Sequence, residues 1–208
     1  MLYIVDGIDL FGDNFNKQME LFLSEQRCDK IKKLRFVKSK NVSAASYLLL
    51  RIALRDLYSI NEVLEFEFTE KGKPMLKKYP HIHFNLSHSG DIATCAVSNE
   101  DVGVDVQMVK PVKDSVAKRV LTAEEYAGFK NAMNPDEYFC EMWATKESYL
   151  KLTGQGISDE LREISAEDIQ DKMVYRGADY FCCVCGAGAE TIQIKHIGRD
   201  DFEQLRNR

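Results

Sequence analysis

The two halves of this chain echo each other, and a chain that uses one unit twice has few ways to fold. GID at Gly7–Asp9 follows an apolar, strand-like run, and GVD at Gly103–Asp105 does the same. Each is followed by a helical stretch, then by a leucine and a polar cap (LSEQ from Leu23, LTAEE from Leu121), then by a longer helix. That helix reads ASYLLLRIALRDL in the first half and FCEMWATKESYLKL in the second. Such an echo predicts an α+β fold of two similar halves, 1–100 and 101–208, facing each other across a cleft where a ligand would lie. With Tyr47 set against Trp143, Arg51 falls opposite Glu147 and Arg55 opposite Lys151.

Hydrophobic periodicity predicts strands near 2–8, 63–69, 92–98, 102–107, 173–176, 180–185 and 190–195. It predicts helices near 13–23, 39–58, 112–119, 122–131, 136–152 and 200–206, with Gly154 and Gly156 suiting a helix stop and a tight loop behind it. The N-terminus carries Asp6 and Asp9 but no basic leader, and no apolar run of membrane-spanning length occurs. The expectation is a soluble, cytoplasmic monomer. A net charge of −5 argues against general nucleic-acid binding, although Lys30, Lys32, Lys33, Arg35, Lys38 and Lys40 form a local basic cluster. That cluster reads equally as a solvated helix and loop or as a polyanion site. Six cysteines without a C-x-x-C pair give no zinc framework, and FCCVC, with Cys182, Cys183 and Cys185, reads as a buried strand.

The chemistry concentrates in WATKESYLK, Trp143–Lys151. On a helix, Phe139, Met142, Trp143, Tyr149 and Leu150 gather into one apolar stripe, Lys146 falls inside it, and Glu147 and Lys151 share one flank. A Glu and a Lys four apart ordinarily form a surface pair worth about 0.2–0.5 kcal/mol. Lys146 resists that reading, because an ammonium in an apolar stripe must snorkel to water or meet an anion. In GVDVQ, strand alternation points Asp105 and Gln107 to one face. Asp105 and Glu147 on separate elements could share a hard cation such as Mg²⁺, or Asp105 could be a strand-end turn residue. Upstream lie KGKP at Lys71–Pro74 and HFNLSHSG at His83–Gly90, where Ser87, His88 and Ser89 offer donors just before a turn glycine.

HFNLSHSG, GVDVQ and WATKESYLKLTGQGIS, in that order and with KGKP before them, resemble the signature segments of the 4'-phosphopantetheinyl transferases, of the long, pseudo-dimeric surfactin-synthetase-activating type. The resemblance implies two α+β halves related by a pseudo-two-fold axis, with the active site between them. It implies Mg²⁺-dependent transfer of 4'-phosphopantetheine from coenzyme A to a serine of an apo acyl or peptidyl carrier protein, releasing adenosine 3',5'-bisphosphate. By the same resemblance Asp105 and Glu147 are metal carboxylates, Glu147 is also the base for the incoming serine, and Lys151 meets the pyrophosphate. Lys73, Ser87 and His88 match coenzyme A contacts, and Lys32 and Ser43 fall near 3'-phosphate contacts; Lys146 is a further candidate cation for the pyrophosphate. Gln107 stands where many members carry a third metal carboxylate, and it brings an amide oxygen without charge. The competing reading is a non-catalytic coenzyme A or nucleotide-binding module.

Overall fold

The computed structural model describes residues 1–154 and 159–206, so Gly156 lies outside the described residues. In chain order the first half contains β1 (Leu2–Val5), α1 (Phe15–Gln18), α2 (Glu25–Lys32), α3 (Val37–Tyr58), β2 (Phe66–Phe68), β3 (Pro74–Leu76), β4 (His83–Ser89) and β5 (Ile92–Ser98). The second contains β6 (Gly103–Met108), α4 (Asp114–Val120), α5 (Ala123–Asn131), α6 (Pro135–Thr153), β7 (Lys172–Arg176), β8 (Tyr180–Cys185), β9 (Ile194–His196) and α7 (Arg199–Glu203). The fold is α+β. One sheet runs β4-β5-β1-β9, a second runs β6-β8-β7, and β2 and β3 form a separate hairpin. All pairings are antiparallel except β1 with β9.

Strand alternation stacks these pieces into layers. Tyr3, Val5, Cys95 and Val97 pack with Leu48, Leu49 and Ile52 of α3, while Leu2, Ile4, Ile92 and Ala96 face Val104, Val106, Cys182 and Val184 of the second sheet. Phe181, Cys183 and Cys185, on the other face of β8, meet Cys140 and Ala144 of α6. The order through the molecule is therefore α3, first sheet, second sheet, α6, which is why LYIV and FCCVC are apolar at every position. The first core also takes in Phe202 of α7, so the end of the chain returns across the division at residue 100.

Two caps behave as the echo predicts. Ser24 accepts from Arg27 N at 3.2 Å to start α2, and Thr122 and Glu125 form a capping box that starts α5. Three elements escape the periodicity reading: α2, β3 and β4. HFNLSHS is a full strand, and the turn begins at Gly90. Its polar residues have structural partners. Asn85 Oδ1 accepts from Val104 N (3.2 Å), Ser87 Oγ from Val106 N (3.3 Å) and Ser89 Oγ from Met108 N (3.1 Å). Side chains of β4 thus satisfy the outward amides of β6 that β8 cannot reach.

Lys146 is fully buried, and its surroundings correct the expectation that it serves the pyrophosphate. Its Nζ donates to Glu125 Oε2, to Val120 O at 2.8 Å and to Leu161 O at 3.1 Å, which uses all three ammonium protons. Glu125 in turn accepts from Thr122 N and Ala166 N, both at 2.8 Å. Desolvation pulls the Lys146 pKa down and Glu125 opposes it. The pair is a clamp that ties α4, α5, α6 and the segment around Leu161–Ala166 together. Replacing one partner strands the other charge, so Lys146→Met is expected to cost about 3–5 kcal/mol in chemical denaturation. Lys146→Met/Glu125→Gln should recover much of that loss; a Lys146→Met loss below about 1 kcal/mol would place the charge elsewhere than in a sealed pair.

Candidate active site

The site lies where α6 crosses β6. Gly103 makes the crossing possible: a Cβ there would stand 2.0 Å from Ser148 O and 2.5 Å from Leu152 N. With helix and strand in contact, Asp105 of β6 and Glu147 and Lys151 of α6 come together, all on buried or half-buried positions. Asp105 is 3% exposed. Its Oδ1 accepts from Ser87 Oγ at 2.7 Å and from Lys151 Nζ at 2.7 Å, and its Oδ2 accepts from Gln107 Nε2 at 3.0 Å. Lys151 also donates to Ser87 Oγ (2.9 Å) and to Val104 O (3.1 Å). Ser87 therefore gives its one proton and both lone pairs within the seam.

Glu147 is different. It is buried, and its Oε1 is a buried oxygen without a hydrogen-bond partner. Burial pushes its pKa up, the Asp105 carboxylate pushes it further up, and Lys151 only partly offsets them. An orphaned buried carboxylate beside a second carboxylate calls for a cation. Among the described residues no group of three His, Cys, Asp or Glu side chains is placed to hold a metal. Two carboxylates nevertheless suit Mg²⁺, which takes one or two from protein and keeps water or phosphate oxygens for the rest. The two carboxylates fit: Asp105 and Glu147 would hold the ion, whereas Gln107 turns its Nε2 to Asp105 and its Oε1 to Ser89 Oγ at 3.5 Å, so the expected amide-oxygen ligand does not face Asp105.

Next to this cluster is a cavity of about 220 Å³ between α2 and the β2–β3 hairpin, lined by Arg27, Lys30, Phe66, Phe68, Gly72 and Pro74 among others. Arg27 and Lys30, three apart, share one face of α2. Arg27 Nη1 reaches Ser43 Oγ at 3.4 Å, and its guanidinium lies over the Tyr47 ring. His88 alternates with Ser87 and so faces away from the seam. Desolvation lowers its pKa, the cations Lys151, Lys30 and Arg27 lower it further, and Asp105 opposes them. Ser43 and His88 thus join Arg27 and Lys30, two residues that the basic cluster only half revealed. Their signal was the i, i+3 spacing after the Ser24 cap.

Two expected contacts lie elsewhere. Lys32 is on another face of α2, exposed and paired with Asp29 at 3.5 Å, beside Lys17 and Lys40 rather than the cavity. Lys73 sends its Nζ to Leu152 O at 3.2 Å and toward Asp101 at 3.5 Å, so its charge meets the C-terminal turn of α6. The six cysteines are unbridged, and Cys182, Cys183 and Cys185 are buried on β8. Among the described residues no helix is long and apolar enough to cross a membrane.

Comparison with known proteins places both halves. Residues 101–189 match the model of the 4'-phosphopantetheinyl transferase superfamily, and residues 13–100 match that of the 4'-phosphopantetheinyl transferase N-terminal region. The chain is 33% identical to the 4'-phosphopantetheinyl transferase psf-1 of Bacillus pumilus, over 74% of this chain and 68% of the relative. It is 29% identical to the 4'-phosphopantetheinyl transferase Sfp of Bacillus subtilis, over 76% of this chain and 72% of the relative. To the 4'-phosphopantetheinyl transferase gsp of Aneurinibacillus migulanus it is 34% identical, over 65% of this chain and 60% of the relative. With both halves matched and the site built where β6 meets α6, the chain belongs to the 4'-phosphopantetheinyl transferase superfamily, as an Sfp-like transferase.

Proposed function

We propose that this transferase moves the 4'-phosphopantetheine group from coenzyme A to a serine hydroxyl of an apo acyl or peptidyl carrier protein. The observation that carries the proposal is the buried, unpartnered Oε1 of Glu147 next to Asp105 and Lys151. In the reaction the serine oxygen bonds to the phosphorus that carries pantetheine. The bond from that phosphorus to the bridging oxygen breaks, and adenosine 3',5'-bisphosphate leaves. Glu147 takes the serine proton, directly or through a water. Lys151 neutralises oxygens of the pyrophosphate, where positioning and electrostatic stabilisation do most of the work. A bound Mg²⁺ would supply further positive charge to the phosphate oxygens.

The other end of coenzyme A fits the neighbouring cavity. Phe66 and Phe68 offer aromatic surface to a base, and Arg27, held by Ser43, and Lys30 line the same cavity as cations for a 3'-phosphate, with His88 within reach of their charge. Incubation with coenzyme A, Mg²⁺ and a panel of apo carriers, followed by mass spectrometry of the carriers, tests the activity. Addition of one phosphopantetheine group to at least one carrier is expected. Glu147→Gln should abolish that addition while the protein keeps its denaturation midpoint, because one change removes a metal charge and the base. Turnover near the parent rate in the folded variant would remove Glu147 from the chemistry.

The 3'-phosphate is remote from the bond that breaks, so groups that read it add binding common to ground and transition states. Arg27→Ala and Lys30→Ala should each raise KM for coenzyme A more than they lower kcat. Each should also narrow the preference over dephospho-coenzyme A, by about 1.5–3 kcal/mol per charge-assisted bond lost. Lys32→Ala should change neither. Equal losses on both substrates for Arg27→Ala and Lys30→Ala would show that the 3'-phosphate is read elsewhere.

A further inference from the structure

The Lys151 ammonium has three protons, and all three are engaged: with Asp105 Oδ1 at 2.7 Å, Ser87 Oγ at 2.9 Å and Val104 O at 3.1 Å. None is left for a pyrophosphate. Both lone pairs of Asp105 Oδ1 are likewise engaged, by Ser87 and by Lys151. The lysine expected at the substrate and the carboxylate expected at the metal satisfy each other. In the metal-free protein the Lys151 ammonium therefore occupies the place beside Asp105, a side chain only 4% exposed, that a metal would take. Lys151 can leave it. Its side chain keeps 30% exposure, whereas Lys146 has none, and four methylenes let its ammonium swing without moving α6.

We infer that Lys151 is a place-holding cation: it neutralises Asp105 in the metal-free protein, and a divalent cation entering between Asp105 and Glu147 releases it toward the pyrophosphate. This inference rests on the proposed metal and substrate roles of the same site. Metal and coenzyme A then favour one state, with Lys151 released, so each tightens the other even where they make no direct contact. The unpartnered Glu147 Oε1 gives the incoming ion an immediate ligand, while Asp105 exchanges one cation for another and never stands bare.

The exchange carries a cost that mutation can lift. In the absence of coenzyme A the metal sees a competent site only in the fraction of molecules with Lys151 displaced, and its apparent affinity falls by that fraction. Titration of the full chain with Mn²⁺, free ion followed by electron paramagnetic resonance, reads this directly. Lys151→Met should bind Mn²⁺ at least about tenfold more tightly than the parent, the gain expected if the released state holds about a tenth of the molecules or less. Lys151→Gln, which keeps a donor for Asp105 and guards against misfolding of the first variant, should tighten binding as well. Lys30→Met removes a nearby cation that does not touch Asp105 and should leave the affinity near the parent value. Unchanged or weaker binding in both folded Lys151 variants overturns the exchange and leaves the metal site standing. Equal tightening in Lys30→Met reduces the effect to general repulsion and also overturns it. No Mn²⁺ binding by any of these proteins overturns the exchange and the metal site together.

Discussion

The structure depends on three hydrogen bonds that are not part of any sheet. Asn85, Ser87 and Ser89 of β4 accept from the amides of Val104, Val106 and Met108 of β6, with a constant offset of 19 residues. An edge strand with unpaired amides must be paired, covered or hydrated. Here one sheet's side chains cover the other sheet's edge, so the two sheets are held in register without merging. The same bonds fix the site. Ser87 is both the acceptor for Val106 and the donor to Asp105, and it receives Lys151 from α6. Strand, strand and helix therefore meet on one hydroxyl.

Around that seam the protein handles two lysines five residues apart in opposite ways. Lys146 is sealed, with a carboxylate and two carbonyls that no ligand can replace; its value is in fixing α6 against α4 and α5. Lys151 has a similar inventory of partners but keeps partial exposure, and its carboxylate also suits a metal. Burial separates a structural charge from a working one. Glu147 completes the contrast: it adjoins the sealed lysine in sequence, yet one of its buried oxygens is left without a hydrogen-bond partner.

Much of this was legible in the sequence where period and chemistry agree. The long helices α3 and α6 and the strands β5, β6 and β8 follow from alternation and helical spacing, whereas spacing leaves Asp105 open between a shared site and a strand-end turn, and the grouping of Asp105, Glu147 and Lys151 is what the family resemblance implies. β4 was not legible as a strand, because its polar residues look like turn residues until the partner amides of β6 are known. The sequence leaves Lys146 to snorkel to water or meet an anion; the anion is Glu125, 21 residues away on another helix, and no spacing rule reaches it. Lys32 and Arg27 show the limit of a basic cluster: composition announces positive charge, and only the rotation of α2 decides which residues face the cavity.

The β4 side chains, rather than burial alone, hold the β6 edge and through it Asp105. Amide hydrogen exchange at Val104, Val106 and Met108 tests it most directly, in the parent and in Ser87→Ala. In the parent these amides should exchange as slowly as those inside β5. In Ser87→Ala, Val106 should lose its protection far more than Val104 and Met108, whose acceptors remain. Protection at Val106 that is unchanged by Ser87→Ala would contradict the account, because the edge would then be held by packing and the hydroxyl would be free for another purpose.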